Sequence, residues 1–471
     1  MLPRERVWGL GDFTVVNAAL AIATWCFITG GYLAAVLPLK AGFAALAFGL
    51  LFGFGLTLMG GTLGSCKYGV DLYVQVRSSF GMHGAATIGI AVCMIMVYLN
   101  NCIIYPMLGK GITNIVREYV TMSDQAAYWL AAAFAIAALF ATWAVVVKGP
   151  VYIKWMNWVI APLLVVVMII LLVFLLTDFG WSELTSAGPT DAFGEPQLDF
   201  AFGIEWSIGF AFSWWWIMGA MSRITRTQRA SAFGFVVGTA FPAGMAIMIG
   251  MMSALIVGTF DPTQWLIPVA GRFWGIIALI FMALANITSG ALMTYTGGIA
   301  IRSFRVGRKW SWPTITFLVL VPTIITMFFQ DLIYTNLGQV LSIWAVMLAP
   351  LTAIVFVDYH LLRKQHLDLN ALYDHSPSGK YRFWHGWNPA FIITMAVSFG
   401  FYFWLLNPIT LRYSEPFKYI TAGIPEFLLA CVVYYLVTKF LVIPAGQGGY
   451  VKLPSDAAER RAMVKQLQDT I

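Results

Sequence analysis

About a dozen times along the chain, an apolar run of roughly 20 residues or more is closed by charged residues, proline or glycine. A helix of that length crosses a ~30 Å hydrocarbon core. The runs fall at 11–37, 42–64, 83–108, 126–147, 155–177, 200–220, 232–258, 272–300, 313–330, 336–357, 387–406 and 420–441. In lipid the backbone must satisfy its own hydrogen bonds, so each run is read as a helix. Composition decides against a soluble alternative, because 60% hydrophobic residues cannot be screened by 10% charged ones. The expected fold class is an all-α polytopic membrane protein with twelve transmembrane helices.

The net charge of +7 follows topology rather than a polyanion partner. Counting alternately from a cytoplasmic N-terminus puts most of the 28 Lys and Arg on the cytoplasmic side. The loop 178–199 carries Asp178, Glu183, Asp191, Glu195 and Asp199 and no base. These counts place both termini in the cytoplasm, with the chain in the cell (inner) membrane and no nucleic-acid partner. Cys26, Cys66, Cys93, Cys102 and Cys431 lack metal-ligand spacing, and the N-terminus lacks a signal-peptide pattern. The chain is read as not an enzyme, since it has no catalytic constellation at membrane depth. A repeated pore signature of a channel is likewise missing.

Two runs are interrupted. Residues 12–36 carry Asn17, Thr24, Thr29, Gly30 and Gly31, and residues 200–229 carry Gly203, Glu205, Gly209, Ser213 and Trp214 to Trp216 before a basic end. Unwound membrane helix is tolerated where it lines a cavity, so interruptions in matching positions point to a transporter site. Their five-span offset predicts one transporter domain over 1–471. Within it, an inverted repeat pairs 11–177 with 200–357, two helices follow at 387–441, and 442–471 forms a cytoplasmic tail with a short helix at 455–470. Consecutive tryptophans point about 100° apart, so Trp214, Trp215 and Trp216 do not all face one planar ligand.

Two blocks carry a family resemblance. Val74 to Ala85 reads VQVRSSFGMHGA, and Pro350 to Gly400 holds Asp358–Tyr359, Leu367–Asp368, Leu372–Tyr373, Tyr381, Gly386 and Asn388–Pro389–Ala390. Both resemble the nucleobase:cation symporters of the purine–cytosine permease type. The resemblance implies a leucine-transporter-like fold with a 5+5 inverted repeat and two appended helices. It further implies alternating access, a planar heterocyclic substrate and a coupling cation, sodium or proton, with no other cofactor. A proton-coupled carrier for another heterocycle, a vitamin or an amino-acid-like solute is the alternative.

Carried over by residue, the resemblance places substrate contacts at Ser213 and Trp214, with Trp25, Gly209 and Trp215 beside the two interruptions. In span three, Tyr98 stands where the family has a tryptophan, and Asn101 or Asn100 replaces its glutamine. In span eight Thr294 is the available polar group, with Asn286 a second. The sodium pattern matches Ala285, Thr288 and Ser289, which share one helix face, completed by carbonyls near Ala21 and Thr24. Glu205, the acid inside a site-lining helix, is expected to bind a proton, to accept from a heterocyclic N–H, or to serve as a wetted structural acid.

Overall fold

The computed structural model describes residues 2–304 and 307–450. Arg305 and the predicted 455–470 helix lie outside the described residues. Among the described residues there are helices and three isolated bridges but no strand.

Nine described helices are long and apolar enough to cross a membrane. They are Leu39–Tyr68, Met82–Arg117, Asp124–Val147, Pro150–Ser186, Gln228–Val257, Pro262–Arg302, Trp312–Thr335, Leu337–Leu362 and Gly423–Val442. Span one is the bent pair Leu10–Ala21 and Thr24–Val36, whose halves diverge by 52°. Span six is likewise divided, into Pro196–Phe212 and Trp215–Ser222, and span eleven is the shorter Pro389–Leu405. The succession matches the twelve apolar runs, with helices that often outreach them.

Local capping explains where several of them begin. Ser123 Oγ accepts from the Ala126 N–H at 3.3 Å, Thr227 Oγ1 from Ala230 at 3.1 Å, and Asn388 Oδ1 from Ala390 at 3.0 Å. Each cap satisfies a donor that the first helical turn leaves open, so the helix starts in polar sequence ahead of its apolar run. Span eight is entered through a short helix from Pro262, separated from the membrane helix at Gly271, whose φ of 69° suits glycine. The counterpart between spans two and three folds as Leu72–Gln75 and Arg77–Phe80.

The packing is exchanged between the two halves of the chain. The second part of span one packs on span seven, and the first part of span six packs on span two. These are equivalent contacts when span one corresponds to span six and span two to span seven. Gly30 serves the first contact: a β-carbon there would collide with the Ile247 carbonyl.

The two blocks that carry the family resemblance meet each other, away from the helix breaks. Arg363 donates to Asp358 Oδ2 (2.7 Å) and to the Ser78 carbonyl (2.7 Å), between the rings of Tyr381 and Tyr450. Asn388 Nδ2 donates to the Ser79 carbonyl at 2.6 Å, and the His83 N–H to the Gly386 carbonyl at 2.8 Å. Arg77, 1% exposed, reaches the carbonyls of Leu372 and Ser303, both at 2.8 Å. Arg363 finds an acceptor at each of its three nitrogens, as a buried guanidinium needs, while Arg77 Nε has no partner among the described residues.

Candidate functional site

Both helix breaks open onto one cavity of about 30 Å³. Its walls are Leu20, Ala23, Trp25 and Cys26 from span one, Phe210, Ser213, Trp214 and Ile217 from span six, and Asn100, Met293 and Trp344 from spans three, eight and ten. That volume holds a water molecule, not a heterocyclic ring.

The break in span one lies at Ile22–Ala23, where Ala23 is extended (φ −83°, ψ 165°). Gly30 and Gly31, part of the interruption read from the sequence, are instead inside the regular helix Thr24–Val36 and serve close packing. Partners from span eight hold the break. The Thr24 N–H (3.2 Å) and hydroxyl (2.8 Å) both donate to Asn286 Oδ1, while Asn286 Nδ2 donates to the Ile104 carbonyl at 2.9 Å. Ser289 Oγ donates to the Leu20 carbonyl at 3.3 Å, and Cys26 Sγ to the Ala21 carbonyl at 2.7 Å. Asn286 thus bridges span eight to spans one and three.

The expected cation ligands gather here in part. Thr288 Oγ1 donates to the Ala285 carbonyl at 2.9 Å, one turn from Ser289 on the same face. The carbonyl facing Ser289 is that of Leu20, one residue before Ala21, and Thr24 presents its hydroxyl to Asn286. Carbonyl and hydroxyl oxygens suit a hard monovalent cation. The C-terminal end of the half-helix Leu10–Ala21 adds negative dipole.

At Ser213–Trp214 the second break has α-type backbone angles throughout. Ser213 Oγ donates to the Phe210 carbonyl at 2.6 Å. Trp214 stands edge-on to Phe54 (centroids 6.0 Å) and Phe210 (6.3 Å). Across the cavity Trp25 leans on Trp344 at 5.1 Å and donates its indole N–H to the Asn100 carbonyl at 3.2 Å. Asn100 Nδ2 donates to the Met96 carbonyl at 2.7 Å, and its Oδ1 has no partner among the described residues.

Other expected contacts are placed elsewhere. Asn101 faces span nine, donating to Thr323 Oγ1 at 3.2 Å, because adjacent helical positions diverge by about 100°. Tyr98 is half-buried with its hydroxyl on Met94 Sδ (3.8 Å). Trp215 turns to span two and donates to the Gly60 carbonyl at 3.2 Å. Gly209 is where span ten approaches span six, and a β-carbon would strike the Leu341 carbonyl. Thr294 is fully buried, and its hydroxyl has no partner among the described residues. Glu205 is neither wet nor at the cavity; it is 0% exposed and bonded to Tyr402 and to the start of span twelve. The sequence reading missed Trp344 and Phe210. Trp344 carries the signal of a lone tryptophan in the middle of a span, away from either interface where that residue collects.

A profile of the family described as permeases for cytosine/purines, uracil, thiamine and allantoin matches residues 3–415. The purine-uracil permease NCS1 of Arabidopsis thaliana is 23% identical over 437 residues, covering 82% of this chain and 67% of the relative. Among solved structures, the inward-facing conformation of Mhp1 superposes with a TM-score of 0.74 at 20% identity, over 93% of this chain and 92% of Mhp1. Mhp1, a nucleobase-cation-symport-1 family transporter, in a closed conformation with bromovinylhydantoin bound gives 0.72 at 20% identity, over 93% and 94%.

Proposed function

The chain belongs to the family of permeases for cytosine/purines, uracil, thiamine and allantoin, and from that premise we propose how this nucleobase:cation symporter recognises its two cargoes. It is a multi-pass membrane transporter of leucine-transporter-like fold and alternating access, not an enzyme.

The substrate class we propose is an uncharged planar heterocycle with N–H donors on its edge. Trp214 supplies one ring face and Trp25 with Trp344 the other. Asn100 Oδ1 and Ser213 Oγ accept from the edge. A permanently charged ligand would meet no counter-charge, since every residue around the cavity is neutral. The observation that carries this reading is the convergence of both helix breaks on a cavity walled by three tryptophans.

The coupling ion we propose is sodium, held between the end of Leu10–Ala21 and the span-eight face of Ala285, Thr288 and Ser289. The hydroxyls would turn from Leu20 and Ala285 to the ion. By linkage the ion and the substrate raise each other's affinity by one factor. The repeat is proposed as 11–177 against 200–357, with both termini on the cytoplasmic side of the cell membrane, where Arg223, Arg226 and Arg229 close span six.

The test is tryptophan fluorescence of the purified protein titrated with purines, pyrimidines, hydantoins and vitamin heterocycles, with and without sodium, at two pH values. Saturable quenching by one class, tightened by sodium, supports both sites. Quenching that answers to pH alone removes the sodium site. No binding by any planar ring removes the substrate class and leaves the fold.

A further inference from the structure

Two buried carboxyl groups meet the first turn of span twelve, outside both proposed sites. Glu205 in the first half of span six and Glu426 in the first turn of span twelve are each 0% exposed. Glu205 is fully provided with donors. Tyr402 gives its hydroxyl to Oε1 at 2.8 Å, and the N–H groups of Ala422 and Gly423 reach Oε2 at 2.8 and 3.0 Å. Glu426 has nothing: neither carboxyl oxygen finds a hydrogen-bond partner among the described residues.

No described cation compensates the pair. Lys418, nearby in the chain, is taken by Glu195 at 2.6 Å and Glu415 at 3.2 Å. Span eleven contributes Tyr402, and span ten contributes the Ser342 carbonyl, which shares the Tyr402 hydroxyl at 3.1 Å. On span two Lys40 is exposed, and Tyr32 of span one gives its hydroxyl to the Tyr334 carbonyl. Two charged carboxylates cannot share such a site. Three donors, two of them at a helix N-terminus, favour the anion at Glu205. The bare surroundings of Glu426 favour the neutral acid.

We propose that Glu205 and Glu426 form a proton-binding site, separate from the substrate and sodium sites, that ties the first half of span six to the start of span twelve. The bound proton resides on Glu426. Its loss puts a second negative charge against Glu205 and drives the two elements apart. Glu205 lies eight residues before Ser213 on the same helix, about 12 Å along its axis. Proton occupancy therefore biases the position of the half-helix that carries one wall of the cavity, as a ligand biases any two-state element. This rests on the transporter reading for its consequence but not for the proton itself.

The experiment pairs infrared spectroscopy with transport, on the full chain in lipid. In the wild type a buried carboxylic acid C=O band persists at neutral pH and disappears on alkalinisation. Glu426→Gln removes that band, whereas Glu205→Gln keeps it. In proteoliposomes the wild-type initial rate changes about fivefold over roughly two pH units, and in Glu426→Gln it changes less than about 1.5-fold. Glu426→Asp restores both the band and the pH response. The proposal is overturned if the wild type holds no such band, or if Glu426→Gln retains both the band and the pH response. Should Glu426→Gln fail to fold, the wild-type infrared titration alone decides the proton's presence. An intact band with no uptake of any substrate would sink the transporter reading and leave the proton site standing.

Discussion

The two helix breaks that frame the cavity are built from different materials. In span one the backbone is extended at Ala23, and polar groups of span eight fasten it: Asn286 on Thr24, and Ser289 on Leu20. In span six the backbone never leaves the α region, and the neighbours of Trp214 are the rings of Phe54 and Phe210. One break exposes oxygen and the other exposes ring faces. An ion that needs oxygen ligands and a flat solute that needs stacking can therefore be served side by side, each by the end of a half-helix. Both breaks line the same cavity, so the proposed ion and substrate sites share walls through which one can act on the other.

The comparison breaks most severely if Asn286 is not the fastener of span one. Asn286→Leu keeps the volume but strands the Thr24 N–H and hydroxyl in a dry interior, at about 1–3 kcal/mol for each orphaned group. The expected result is a lowered melting temperature in detergent and loss of uptake. A variant that melts and transports like the wild type would show that the break is held by something else.

Next in size is Trp214→Ala. Losing one stacking face costs roughly 1–3 kcal/mol of substrate affinity, about 5- to 150-fold. Titrations with and without sodium should show affinity falling in both while the ratio between them stays fixed. A changed ratio would merge the two breaks into a single site.

The double variant Thr288→Ala, Ser289→Ala should do the reverse. Substrate affinity without sodium is retained, and the enhancement by sodium is lost; such couplings are typically worth 1–3 kcal/mol. Undiminished sodium dependence would move the ion away from span eight.

Hydropathy made the spans legible because the membrane requirement acts on whole segments and tolerates errors of a few residues. The breaks were legible only to within a turn or two. Gly30, Gly31 and Gly209 looked like interruptions but are packing surfaces, since a glycine lets two helices approach without unwinding either. The true break in span one has Ile22 and Ala23, residues with no breaking tendency, and is set by partners some 260 positions away. The motifs most visible as a family signature, around Arg77 and Asp358, bind each other. Conspicuous polar sequence in a membrane chain marks where burial is expensive, and a buried lock is as expensive as a site.

Span three gives the finest test of the division, because three of its residues in four positions have different fates. Asn100→Ala removes the cavity's free amide oxygen and should raise the apparent Kd several-fold, about 1 kcal/mol for one edge hydrogen bond. Asn101→Ala instead unties span nine at Thr323 and should lower stability while leaving the Kd near the wild-type value. The smallest effect belongs to Tyr98→Phe. Among the described residues its hydroxyl meets only the Met94 sulfur at 3.8 Å, a weak acceptor, from a half-buried position. Removing it should move both stability and Kd by less than about 0.5 kcal/mol. If Tyr98→Phe weakened binding as much as Asn100→Ala, the substrate-bound conformation would have to turn span three by roughly half a helical turn, since the two positions lie about 200° apart on the helix. The polar wall of the cavity would then be Tyr98 in place of Asn100.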